Sequence, residues 1–324
     1  MNDTESRENE PDAGESELVQ SSPTRSDESQ RGSADTHAAA DSGSGSIEHD
    51  DVTFARTLLQ FFLVPAFVVA VCVGIFLFFA WLVSDERTSL EYLNEVRAGS
   101  ASRRWQAAFE LAKIITLDPN AAEHEGLVPG MVDAFDQAKD DDPRVRHYLA
   151  LSLGHLKDPS ALPSLIDALS DDDDTTRLYS AWALGNIADR GAVRALEERV
   201  GDDDAGVRKM AVYALGSIGD SSAVPRVIVA LSDPERDVSW NAAIALAQLG
   251  DASGEPQLLK MLDREFLFAL PEMDDSQRLL TMESAIRAAA LLDSEALDAR
   301  LREISTSEPN VSLRKVALEA LTGR

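Results

Sequence analysis

The middle of this chain repeats itself every 31 residues, and that period constrains its fold more than any other feature. The stretches VRHYLALSLGHLKD (145–158), TRLYSAWALGNIAD (176–189), VRKMAVYALGSIGD (207–220) and VSWNAAIALAQLGD (238–251) align without a gap. Arg146, Arg177 and Arg208 keep the step, and Ser239 takes the fourth place. Leu153, Leu184, Leu215 and Leu246 keep it throughout, as do Asp158, Asp189, Asp220 and Asp251; Gly154, Gly185 and Gly216 keep it until Ala247. A fixed period of this length marks a stack of small units, none of which can bury its apolar face alone.

Each unit reads as two helices. Val145, Leu149, Leu153 and Leu156 recur three or four apart and make one apolar face of the first. The second begins near Ser160 and carries Leu162, Leu165, Ile166 and Leu169. Links such as Lys-Asp-Pro-Ser and Gly-Asp-Ser-Ser supply turn residues, and Pro163 and Pro225 fall where a helix tolerates a missing N–H. Between units lie the acidic runs Asp140–Asp142, Asp171–Asp174 and Asp202–Asp204. Carboxylates there are expected to cap the next helix. They lack the alternating ligands, central glycine and final glutamate of a calcium loop. The expected fold is all-α, an armadillo-type, HEAT-like superhelical solenoid with regular units over 142–265. Looser repeats flank it at 101–141 and 263–324, Val311–Leu321 closes the stack, and Ser89–Arg97 forms a lid. Eleven extra residues, 266–276, break the period.

The phrase VRKMAVYALGSIGDSSAVPRVIVALSD resembles the short HEAT-like repeat named after phycobilisome lyases, VRxxAAxALGxIGDxxAVPxLxxAL. The resemblance implies a superhelix that holds other proteins. Two enzymatic branches share the repeat, and both supply an alternative reading as an enzyme or enzyme subunit. Deoxyhypusine hydroxylase implies a di-iron site resembling four His-Glu pairs; here only His124-Glu125 makes such a pair, since Tyr148 follows His147 and Leu156 follows His155. The phycobilin lyases are similar in repeat but fit poorly with the segment upstream.

That segment, Phe61–Val83, contains 23 residues without a charge. As a helix it rises about 34 Å, enough to cross a hydrocarbon core of about 30 Å. Pro65 is placed in its first turn and Trp81 at its exit. The domains are therefore an acidic tail (1–53), a membrane helix (54–84, core 61–83) and a repeat domain (85–324). The tail, rich in Ser, Asp, Glu and Gly, is expected to be disordered. Arg87, Arg97 and Arg103 follow the span and only Arg56 precedes it, which places the repeat domain in the cytoplasm of a single-pass protein of the cell membrane. Ala66, Ala70 and Gly74 share a helical face, a candidate for self-association.

A net charge of −27 argues against nucleic acid as a partner, and the single cysteine, Cys72, excludes a disulfide framework. The same acidity would also suit a salt-adapted surface. No phosphate loop, nucleophile elbow or helical histidine pair is written in the chain. The sequence thus points to no catalytic residue, no cofactor and no metal, and to proteins, at a membrane complex, as the partners. Candidate contacts are Arg194, Arg226 and Lys260 on the second helices, expected to line the concave face, and Phe266 and Phe268 in the insertion. The insertion's aromatic residues either cap the adjacent unit or mark a docking site. A further stripe, Leu151, Trp182, Tyr213 and Ile244, keeps the 31-residue step and is read as packing between units.

Overall fold

The computed structural model describes residues 50–83, 88–118, 124 and 126–323. Glu125 and most of the acidic tail lie outside the described residues. Every regular element among those described is helical.

The chain divides into two units, 1–82 and 83–324. In the first, helix α1 (Asp50–Val83) extends eleven residues upstream of the uncharged run. Leu, Ala, Arg and Gln in that stretch favour a helix, so Pro65 falls inside the helix instead of in its first turn. The span Phe61–Phe79 has a mean hydropathy of 2.8, and none of it is buried within the protein.

The second unit is the solenoid. Helix α2 (Ser89–Ala98) starts at a capping box in which Thr88 and Glu91 satisfy each other's amides. Helices α3 (Ala101–Leu117) and α4 (Leu127–Gln137) form the first pair. Four regular pairs follow: α5 (Pro143–Leu156) with α6 (Leu162–Ala168), α7 (Asp174–Ile187) with α8 (Val193–Arg199), α9 (Ala205–Ile218) with α10 (Val224–Ala230), and α11 (Arg236–Gln248) with α12 (Glu255–Met261). A short helix, α13 (Arg264–Phe268), and a loop occupy the insertion. Then come α14 (Asp275–Ala289), α15 (Glu295–Ser307) and α16 (Val311–Thr322).

Each repeated residue has a structural task. Leu153, Leu184, Leu215 and Leu246 are fully buried, each contributing about 2 kcal/mol of apolar burial. Asp158, Asp189, Asp220 and Asp251 each accept a hydrogen bond from the amide two residues on, opening a single 3₁₀ turn before the second helix. Just before each of these aspartates the chain turns left-handed, at Lys157, Ala188, Gly219 and Gly250. Glycine adopts that conformation freely, whereas Lys157 and Ala188 hold it under strain.

The first helices stack through glycine. A Cβ on Gly185 would lie 2.8 Å from the Ala214 Cα, and one on Gly216 would lie equally close to the Ala245 Cα. Only a bare backbone permits that approach. The Trp182 ring lies over Gly154 and the Tyr213 ring near Gly185, so packing between units accounts for both rings.

Candidate functional site

The acidic links and the periodic arginines meet along one side of the stack. Arg146 on α5 pairs with Asp171 after α6, Arg177 with Asp202 (2.9 Å), and Arg208 with Asp233 (2.8 Å). Each of these carboxylates also accepts the amide two residues on, from Asp173, Asp204 and Glu235. The arginine of the following unit then donates to the link's own carbonyls: Arg177 to Asp171 and Asp172, Arg208 to Asp202 and Asp203. The links at 171–173 and 202–204 are thus held from both sides. Upstream, Arg104 makes the same tie to Asp141 at 2.5 Å.

The electrostatics follow from this geometry. Burial pushes the Asp202 carboxyl up, but the Arg177 hydrogen bond and the Asp204 amide outweigh it and leave Asp202 below the usual carboxylate range. Asp233 is lowered in the same way by Arg208 and Glu235 against its burial. The Arg146 guanidinium, almost fully buried, is pushed down by desolvation. Capping, expected of all the acidic runs, belongs to Asp142, Asp173 and Asp204; Asp171, Asp202 and Asp233 tie neighbouring units together. No group of His, Cys, Asp or Glu suited to a metal ion occurs among the described residues.

The ladder ends at Asp233. Ser239 stands where the next arginine would be and turns back to the Arg236 carbonyl; Ala247 replaces the glycine. Here the core also divides. Val238, Ala242, Ala245 and Leu246 of α11 join one apolar cluster reaching back to Leu93, while Trp240, Ala243 and Ala247 join a second that runs on to Ala317. Helix α14 packs on α12 and α16, and its contact with α11 is slight beside those of earlier neighbours.

Two hollows lie along that seam. One, of about 710 Å³, lies between Lys209, Asp237 and Val238 on one side and Gln277, Leu280 and Thr281 on the other. The second, about 720 Å³, is bounded by Tyr213, Ile244 and Gln248 opposite Ser284, Ala288 and Leu291. Leu280 and Leu291 are 63% and 57% exposed. Both lie outside the 31-residue repeat, and no pattern in the sequence sets them apart.

The candidate contacts fall in different settings. Arg194 and Lys260 are exposed. Arg226 is part-buried and donates to the Glu197 carbonyl at 2.8 Å, tying α10 to α8. Phe268 is held between the Arg264 and Arg278 guanidinium groups, 4.0 and 5.3 Å from its centroid. Leu267 beside it is fully buried, and Phe266 is left half-exposed. Arg194, Arg226 and Lys260 lie on the successive second helices α8, α10 and α12, and Phe266 and Phe268 on α13.

Residues 131–211 and 201–267 match the family model for HEAT repeats. The repeat is HEAT-like. The solenoid is similar in fold to the complex of CpcE and CpcF of phycocyanin lyase from Nostoc sp. PCC7120. That likeness is at 22% identity and a TM-score of 0.51, over 74% of this chain and 88% of the other. A designed armadillo repeat protein aligns at 18% identity and a TM-score of 0.41, covering 71% and 97% of the two chains. Human deoxyhypusine hydroxylase aligns at 18% and 0.29, covering 73% and 99%. No curated protein matches the chain.

Proposed function

We propose that this is a single-pass membrane protein whose HEAT-like solenoid, in the cytoplasm, holds partner proteins at a membrane complex without catalysing a reaction. The observation that carries the binding half is the seam. Two hollows lie side by side along α11 and α14, one mainly apolar and one lined by charged and polar side chains, with the exposed Leu280 and Leu291 in their walls. The anchoring half is supported by α1, whose 19 residues from Phe61 to Phe79 present Phe, Val, Leu and Ile on every side.

Protease treatment of intact cells or spheroplasts tests the orientation: the solenoid is protected and the tail is cut. Crosslinking in native membranes followed by mass spectrometry identifies partners bound to the solenoid. Stoichiometric iron or a covalently held chromophore on the purified chain would overturn the non-catalytic reading.

A further inference from the structure

We infer that the seam between α11 and α14 receives one amphipathic helix of a partner protein, its basic end over the acidic, link-side end of the groove. This rests on the protein-binding reading above and specifies its site and ligand.

The argument begins with periodicity. The residues of α14 that line the groove, Gln277, Leu280, Ser284 and Ala288, recur three or four apart, which is a single helical stripe, and Leu291 follows in the turn just past the helix end. From Gln277 to Ala288 the stripe spans about 17 Å, the length of about three helical turns. The facing wall is a second such stripe on α11: Asp237, Asn241, Ile244 and Gln248. The two hollows thus follow one another along α11 and α14 as one trough, mixed in polarity at the link-side end and mainly apolar at the other, where Val316 and Ala320 of α16 add to the wall.

In the regular units the corresponding side of each first helix is covered by the next first helix. At the seam nothing of this unit covers Leu280 or Leu291. The wall helices satisfy their own backbone hydrogen bonds, so the trough offers an extended strand no ladder; it offers apolar anchors at helical spacing.

Charge selects the occupant. Arg208 and Arg278 also act on Glu235 and Glu272 but are bound to Asp233 and Asp275, and the lining of the link-side end itself sets Glu235, Asp237 and Glu272 against Lys209 and Arg236. Both bases are already bound, Lys209 to Asp237 at 3.7 Å and Arg236 to Glu272. At the other end Arg287 is bound to Glu283 at 2.8 Å. A basic helix terminus gains from that excess of acid and from the field of a chain at −27. A second copy of this chain brings the same net charge and is repelled.

The test uses the full-length chain in nanodiscs of neutral phosphatidylcholine, with empty discs as background. The probe is a fluorescein-labelled 18-residue peptide with a leucine stripe at helical spacing and lysines elsewhere; its control carries glutamates in place of the lysines. Fluorescence anisotropy is expected to show the lysine peptide bound at least tenfold more tightly than the control, with affinity falling as salt rises. Leu280→Gln with Leu291→Gln lowers that affinity at least tenfold. Both side chains are exposed, and unchanged thermal melting confirms the fold. Val311→Gln with Leu318→Gln, exposed leucine and valine outside the trough, changes nothing. Equal binding of the two peptides, undiminished binding by the Leu280/Leu291 variant, or a wild-type dimer that this variant dissociates would each overturn the inference. Native partners that crosslink equally to wild type and to that variant would also overturn it, while leaving the protein-binding reading intact. If no protein crosslinks anywhere on the solenoid, it is that broader reading that fails.

Discussion

From α5 to α11 each first helix leans on the next through a bare glycine, and an arginine reaches across to the following acidic link. From α11 to α14 the helices persist, but glycine has become Ala247, arginine has become Ser239, and eleven extra residues intervene. The first region shares one continuous core, and the second has its own. Beyond the seam a variant of the ladder resumes: Glu308 accepts Arg264 at 2.5 Å, and its carbonyl takes Arg314. Two helices per unit therefore suffice to make a solenoid. Close coupling between units needs the glycine and the ion pair as well, and where both lapse a trough opens.

The sharpest challenge to this contrast is Gly185→Val. It forces α7 and α9 apart against backbone atoms and should cost more than ~3 kcal/mol in urea unfolding, whereas Leu291→Gln at the seam stays within about 0.5 kcal/mol. Equal effects would erase the difference between the regions. Asp202→Ala comes next. It leaves the Arg177 guanidinium, 15% exposed, without its carboxylate, and should destabilise by about 2 kcal/mol, between the values of surface and buried pairs.

Acid probes the same rungs. Asp202 and Asp233 are held below their ordinary pKa in the fold, so their contribution is complete above about pH 4 and is lost as pH falls further. Melting temperature followed from pH 6 to pH 3 should drop below pH 4 in wild type, and the drop should shrink in a variant carrying Asp202→Asn and Asp233→Asn.

Two smaller effects lie within the regular units. Thr176 occupies the place held by Val145, Val207 and Val238, with its hydroxyl buried and unpaired. Thr176→Val should stabilise by about 1 kcal/mol, read by thermal melting. Ala188→Gly relieves a left-handed alanine and should gain slightly less, because glycine also loosens the unfolded chain.

Much of this architecture is legible in the sequence because period and apolar spacing are both local. The helix pairs, the Asp158-type turns and the insertion can be placed from residue order. The role of Arg177 cannot, because its partner lies 25 residues away and two parallel columns do not reveal that they touch. The strain at Lys157 and Ala188 is equally silent, since neither residue type announces a positive φ. The insertion marks where the period breaks, but the trough itself depends on how far α14 stands from α11. Leu280 and Leu291 look like ordinary helix residues until that separation is known.

The ladder also sets which changes of length this chain can absorb. Each rung joins an arginine to an acid one unit on, so adding or removing a whole 31-residue block re-forms the same pairing across the new junction. A shift of another length keeps the pair where the connection between helices takes it up, as Arg104 and Asp141 show by pairing across 37 residues against 25 for Arg177 and Asp202. The eleven extra residues lie after Ser239, past the last continuous rung. Growth by duplication is thus open to the regular stack, while extra residues enter its irregular ends, between α3 and α4 and at the seam, where new surface can be tried without breaking a pair.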